Sequence, residues 1–231
     1  MAGFHTHLTV GAVASGMAAT GLYAGGVASP LEVALYFSCG TVASLLPDID
    51  SDNSTILSVV FTFVSVLLAF AVLFGQPATK GLSGLELFLL WAGLFAAMRI
   101  GVFEVFTRMT VHRGIFHSIP AAILFGVLTV IMLHHAFRVP TLTAWVAGGF
   151  ITIGFIVHLL LDEVYSLNLT GRHVKRSFGT ACKLWSKDLY ATTALYSVTL
   201  LALWLAPQAE LLFDHRIYQL AWHSVVTSWL P

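Results

Sequence analysis

His158 and Asp162 stand four residues apart near the end of an apolar stretch, in the string His158-Leu-Leu-Leu-Asp162. On a helix this spacing puts both side chains on one face, about 5–6 Å apart at Cβ. There an imidazole and a carboxylate can bind one metal ion, or hydrogen-bond to each other and lock the helix. Three further clusters lie where hydrophobic stretches begin or end: His5-Thr-His7, Pro47-Asp48-Ile49-Asp50 and His112-Arg-Gly-Ile-Phe-His117. Asp48, Asp50 and Asp52 alternate like the opening of an EF-hand, but Asn53 replaces the Gly of the sixth position and no Glu follows at the twelfth. Alone, this stretch reads as a solvated loop that caps a following helix through Ser51, Asn53 or Ser54. His112 and His117, five apart, share no regular helix face, yet Gly114 between them lets the backbone bend so that both turn inward. Of His5 and His7, one could coordinate a metal, or either could sit at headgroup level.

The elements that must position these groups follow from composition. The chain is 58% hydrophobic and 10% charged, where soluble domains carry about 25% charged residues, and its mean hydropathy is +0.87. This is the make-up of a polytopic membrane protein, an all-α transmembrane bundle. A net charge of zero gives no support to nucleic-acid binding. A bilayer core needs about 20 apolar residues as helix, and the long unbroken runs exclude alternating barrel strands. Seven candidate spans result, at 8–28, 31–46, 55–75, 84–106, 115–137, 142–161 and 189–206, separated by turn signals at Ser29-Pro30, Pro47, Gln76-Pro77, Pro140 and Pro207. The expected organisation is a transmembrane domain over 1–206, carrying a basic connection at 163–188, and an interfacial segment at 207–231. Small residues at four-residue spacing, Ala12 with Gly16 and Gly21 with Gly25, suit close helix packing.

Alternation of the spans brings all four His/Asp clusters to one side. That side also carries Arg99, Arg108, Arg113, Arg172, Lys175, Arg176, Lys183 and Lys187, against Lys80, Arg138 and Arg216 on the other. The positive-inside rule makes the richer side cytoplasmic, together with the N-terminus. The N-terminus has no basic n-region of a signal peptide and is expected to be retained. His134, His135, His215 and His223 fall on the far side and read as interfacial, and His173 as solvated. Cys39 lies in an apolar span and Cys182 in a polar connection, so no disulfide is expected and cysteine-rich zinc sites are excluded.

The pooled ligand set is His7, Asp48, Asp50, His112, His117, His158 and Asp162. Nitrogen and oxygen donors of this kind suit one or two ions, zinc or manganese. A metal so held lowers the pKa of water to about 7 and polarises a phosphoryl oxygen. Asp48 or Asp50 could take the water's proton, and Arg113 could contact the phosphate. The basic connection either sets topology or docks on anionic lipid headgroups, at about 1 kcal/mol per basic residue.

At these residues the chain resembles the YdjM-type family of inner-membrane metal-dependent hydrolases. The matching elements are Thr6-His7 followed by Gly11, Leu46-Pro47-Asp48-Ile49-Asp50, His112-Arg113-Gly114 with His117-Ser118, and His158 to Asp162, in the family's order over residues 6–162. That family is in turn distantly similar to the zinc-dependent phospholipase C and P1 nuclease group, all-helical proteins with a clustered zinc site. The resemblance implies His7, Asp48, His112 or His117, and His158 with Asp162 as ligands. The soluble group also uses a processed N-terminal amine and a His-x-x-x-Glu pair. Here Met1 and a single evident His-x-x-x-acid pair imply one or two ions rather than three. The expectation is a membrane-bound hydrolase of a phosphoester, lipid or lipid-linked, at the inner leaflet. Its rivals are a transporter that uses His and Asp as an ion or proton path, and a non-catalytic membrane protein whose metal holds loops together.

Overall fold

The computed structural model describes residues 3–50, 81–102, 117–166, 182–186 and 188–208, with positions 62, 65, 66, 69, 70, 73 and 79 between them. Among these residues the chain is all-helical, and its only β-type pairing is an isolated bridge between Ser118 and Lys183. Helix α1 runs Phe4–Ala24, ahead of the expected 8–28, and is closed by Gly25 and by Gly26 at φ +69°. Helix α2, Pro30–Ala43, opens on a capping box: the Ser29 hydroxyl accepts from the Glu32 N–H, and the Glu32 carboxylate accepts from the Ser29 N–H at 2.8 Å. Pro47 cannot continue the ladder, and a 3₁₀ turn, Leu46–Asp50, follows.

Helix α3, Gly84–Ala96, starts at the same device, Ser83 with Glu86, and widens into a π-turn at Ala97–Val102. Helix α4, Ile119–Ile131, is capped by Ser118 with a proline in its first turn, and it too ends in a π-turn, Met132–Ala136. Helix α5 covers Thr141–Ser166 and α6, capped by Asp188, covers Leu189–Leu205. Among the described residues four stretches are long and apolar enough to cross a membrane: Pro30–Asp48, Gly84–Gly101, Ile119–Ala136 and Thr141–Ser166; α6 is a shorter apolar helix. Of the charge-free stretch at 55–75, positions 62, 65, 66, 69, 70 and 73 are described, and they are helical. The interfacial segment expected beyond 208 lies outside the described residues.

Helix α5 is the hub. Phe155 and Leu159 pack with Ala121, Ala122, Leu124 and Val127 of α4 and with Leu195 and Ala202 of α6. Nearer its start, Ala144, Ala147 and Phe150 meet Ala19 of α1, Tyr36 of α2 and Val130 of α4. In contrast α3 buries none of its residues, and Leu85 on its surface and Ile100 in the π-turn after it are 69% and 67% exposed, as lipid contact requires.

Small residues set how closely the helices approach. A Cβ on Gly126 would lie 2.8 Å from the Gly148 carbonyl oxygen, so α4 and α5 cross backbone to backbone. Between α1, α2 and α5 the same economy produces a ladder. A Cβ on Gly40 would collide with Ser15, and one on Gly154 with the Gly40 carbonyl, which defines a rung of Ser15, Gly40 and Gly154. One helical turn on, a Cβ on Gly11 would fall on the Ser44 side chain, and His158 bonds to the Ser44 carbonyl. This second rung is Gly11, Ser44 and His158. Each step is four residues, forward on α2 and α5 and backward on antiparallel α1.

Candidate metal centre

The third rung of that ladder is His7, Asp48 and Asp162. Residues on one helix face recur every four positions, so packing that puts Gly11 on Ser44 and Ser44 on His158 carries these three side chains to one point. His7 Nε2 lies 3.3 Å from Asp162 Oδ1 and 4.0 Å from Asp48 Oδ2. His158 reaches up from the second rung, with Nε2 3.5 Å from Asp48 Oδ1 and 3.9 Å from Asp162 Oδ2. His117, immediately before the cap of α4, completes the group with Nε2 4.0 Å from Asp48 Oδ1. Donor atoms of Asp48, His117, His158 and Asp162 all lie within 4.8 Å of one another.

These separations suit metal ligands better than ion pairs. Charge-assisted N–H···O bonds are about 2.7–2.9 Å long, whereas donors held about 2.1 Å from a tetrahedral ion sit about 3.4 Å apart. The five His–Asp separations run from 3.3 to 4.0 Å. Neither ring nitrogen of His7, nor Nε2 of His158, has a hydrogen-bond partner among the described residues, although both rings are fully buried. Polar atoms left so in a core cost stability unless something satisfies them. With neutral imidazoles the cluster carries two carboxylate charges, which a dication offsets. The donor set therefore fits a divalent metal, which Asp48, His117, His158 and Asp162 would hold, with the His7 nitrogen beside them at 3.3 Å from Asp162.

Ring orientation is set locally. His158 Nδ1 lies 2.8 Å from the Ser44 carbonyl; a carbonyl only accepts, so Nδ1 is the donor and Nε2 is the nitrogen turned to the cluster. The His7 ring stacks on His158, with centroids 3.7 Å apart and planes 14° from parallel. The Ser44 hydroxyl donates to the His7 carbonyl at 3.1 Å. His7, His117, His158 and Asp162 are buried, whereas the Asp48 side chain is 37% exposed. Among the described members of the cluster Asp48 is thus the partly exposed one.

Of the residues expected from sequence, the structure brings together His7, Asp48, His117, His158 and Asp162. It separates His7 from His5, which is exposed and stacks edge-on against Phe4. His112, Arg113 and the side chain of Asp50 lie outside the described residues. The His158–Asp162 pair lies near the end of α5, which continues one turn to Ser166, whose hydroxyl donates to the Glu163 carbonyl. At the opposite end His134 and His135 contact the carbonyls of Val139 and Leu205, far from the cluster. Cys39 and Cys182 are free thiols. Burial, with the Glu163 charge adding, pushes the Cys182 thiol up, which makes it a poor nucleophile. Sequence reading missed Ser44, a small polar residue at the end of α2 whose only signal is its place shortly before Pro47.

Apolar helices around a buried imidazole–carboxylate cluster define a helical membrane protein with a group able to hold a metal. The chain belongs to the YdjM inner membrane protein family, whose family model matches residues 1–174. No curated protein and no solved structure matches it.

Proposed function

We propose that the protein is a membrane-bound, metal-dependent hydrolase that cleaves a phosphoester at the inner leaflet. The observation that carries this reading is the set of four nitrogen and oxygen donors within 4.8 Å of one another, three of them buried and one, Asp48, partly exposed. A site that only braced loops would have no need of an exposed ligand, whereas a hydrolytic site keeps a position for water and substrate.

Zinc is the ion this donor set suits best, with manganese next, as one or two ions per chain. When bound, it lowers the pKa of water to about 7 and withdraws charge from the phosphoryl group. The protein supplies the rest. His7, His117, His158 and Asp162 hold their donor atoms fixed by burial. Asp48, the partly exposed member, accepts the proton of the attacking water as the oxygen–phosphorus bond forms. The ester P–O bond then breaks, and the proton passes to the leaving alkoxide. Asp50 as a second acid, His112 as a further ligand and Arg113 as a phosphate contact belong to the same reading. The substrate is a phospholipid or lipid-linked phosphoester, with the basic residues of 163–188 meeting the anionic headgroups.

The test compares detergent-purified wild type with His158→Ala/Asp162→Ala by elemental analysis, followed by a screen of lipid phosphoesters. The expected result is one or two zinc or manganese ions per wild-type chain, lost from the double variant together with hydrolysis. Wild type that holds no divalent metal, with His158→Ala indistinguishable from it, would sink the reading.

A further inference from the structure

Gly11 stands out beside Thr6-His7 without any chemistry of its own, and Ser44 carries no donor to the cluster, yet both occupy the rung directly beneath it. The geometry points to Gly11 and Ser44 as a positioning pair that fixes the two stacked imidazoles, His158 and His7, with their Nε2 atoms toward the carboxylates. Three observations converge on Ser44. Its carbonyl accepts from His158 Nδ1 at 2.8 Å, and its hydroxyl shares one proton between the carbonyl of His7 at 3.1 Å and that of Thr41 at 2.7 Å. Ser44 is fully buried, so water cannot replace these bonds.

Such closeness requires Gly11. A Cβ there would overlap both Oγ and Cβ of Ser44, while its Cα would stay at an ordinary 3.8 Å. Rotating the hydroxyl away does not relieve a clash with Cβ, so α1 and the end of α2 must part. Parting them pulls His7 off His158 and tilts the Ser44 carbonyl away from Nδ1. Gly16 on the same helix is different: a Cβ there would meet only the Phe37 ring at 3.7 Å, an ordinary contact. The requirement is therefore local to the rung below the cluster and is not a general need of α1 for glycine.

The consequence for metal binding rests on the metal-dependent reading above, and the experiment separates the two. Full-length wild type, Gly11→Ala, Ser44→Gly, Gly11→Ala/Ser44→Gly and Gly16→Ala are purified in detergent, stripped with chelator and titrated with zinc alone. Histidine ring ¹⁵N spectra of the metal-free forms report the tautomer of His158. The expected pattern is zinc affinity about 10- to 100-fold weaker in Gly11→Ala, the usual effect of disturbing the groups that orient metal ligands. Affinity returns to within about threefold of wild type in the double variant, where the Cβ has room and the carbonyl at position 44 remains. Gly16→Ala binds like wild type, Ser44→Gly, which loses the hydroxyl but keeps the carbonyl, is weakened by no more than the double variant, and the Nδ1–H signature of His158 is present in wild type and double variant but altered in Gly11→Ala. If Gly11→Ala does not accumulate, recovery of zinc binding in the double variant decides in favour. A Gly11→Ala that binds zinc like wild type, or a folded double variant as weak as Gly11→Ala, overturns the positioning pair and leaves the metal centre standing. Wild type that binds no zinc overturns the metal centre, and the nitrogen spectra alone then decide the pair.

Discussion

Asp48 and Asp162 show how two identical side chains at one cluster take different parts. Asp162 is 5% exposed and 3.3 Å from His7, while Asp48 is 37% exposed and touches three histidines at 3.5–4.0 Å. Removing charge from the buried one leaves imidazoles without their partner, whereas changing the partly exposed one alters the accessible edge of the cluster. Asp162→Asn is expected to lower zinc affinity by at least tenfold. Asp48→Asn should instead keep most of the metal but lose hydrolysis by about 10²–10⁴-fold; metal titration beside a phosphoester assay distinguishes the two. Ser44→Ala gives up the hydroxyl bonds to His7 and Thr41 and keeps the carbonyl that orients His158. It should lower stability by about 1 kcal/mol, read as a small fall in thermal midpoint, with zinc retained. Residue type alone made His7, Asp48, His117, His158 and Asp162 visible as chemistry in the sequence. It could not choose between His5 and His7, since that depends on which face of α1 is turned inward.

The face of each helix is decided by the ladder of small residues. Gly154→Ala would drive a Cβ into the Gly40 carbonyl and to 2.9 Å from Ala43 Cβ, whereas Gly149→Ala meets nothing within 4 Å. The first should cost about 1–3 kcal/mol through overpacking, and the second should be neutral or stabilising by up to about 1 kcal/mol, since alanine is the better helix former. Thermal unfolding in detergent, with zinc content measured alongside, checks both; Gly154→Ala should also loosen the metal because it parts α2 from α5. Helix existence was legible from apolar runs, and the caps at Ser29, Ser83 and Ser118 follow ordinary serine chemistry. The ladder was not legible. Positions 7, 11 and 15, 40, 44 and 48, and 154, 158 and 162 each repeat by four, but nothing in a linear pattern says which triplet packs on which. Pairs expected to aid packing, Ala12 with Gly16 and Gly21 with Gly25, were less informative: a Cβ on Gly21 meets nothing within 4 Å.

At the scale of the whole molecule, membrane embedding and metal binding bear on stability together. Apolar helices exposed to lipid gain little from packing on one another, so an ion tying α1, the turn after α2, the start of α4 and α5 should contribute strongly. At a free metal concentration about 100-fold above the dissociation constant it adds about 2.7 kcal/mol, and chelation should lower the thermal midpoint correspondingly. A metal-bound fold would carry fewer protons than the unfolded chain, because imidazoles must be neutral to bind a metal. Stability should therefore fall as pH falls, and the chelated protein should lose most of that dependence. Topology is testable separately: reporters fused at the N-terminus and within 163–188 should both read as cytoplasmic, in keeping with the basic residues on that side.

The three rungs also impose an order on biogenesis. Each draws on the first 15 residues, on 40–48 and on 154–162, so a nascent chain that has inserted α1 and α2 owns His7 and Asp48 but no third helix to hold them together. The cluster comes into being only when α5 leaves the ribosome and enters between helices already in the bilayer. Until then His7 and Asp48 lack the two buried partners, His158 and Asp162, that stand against them in the finished fold.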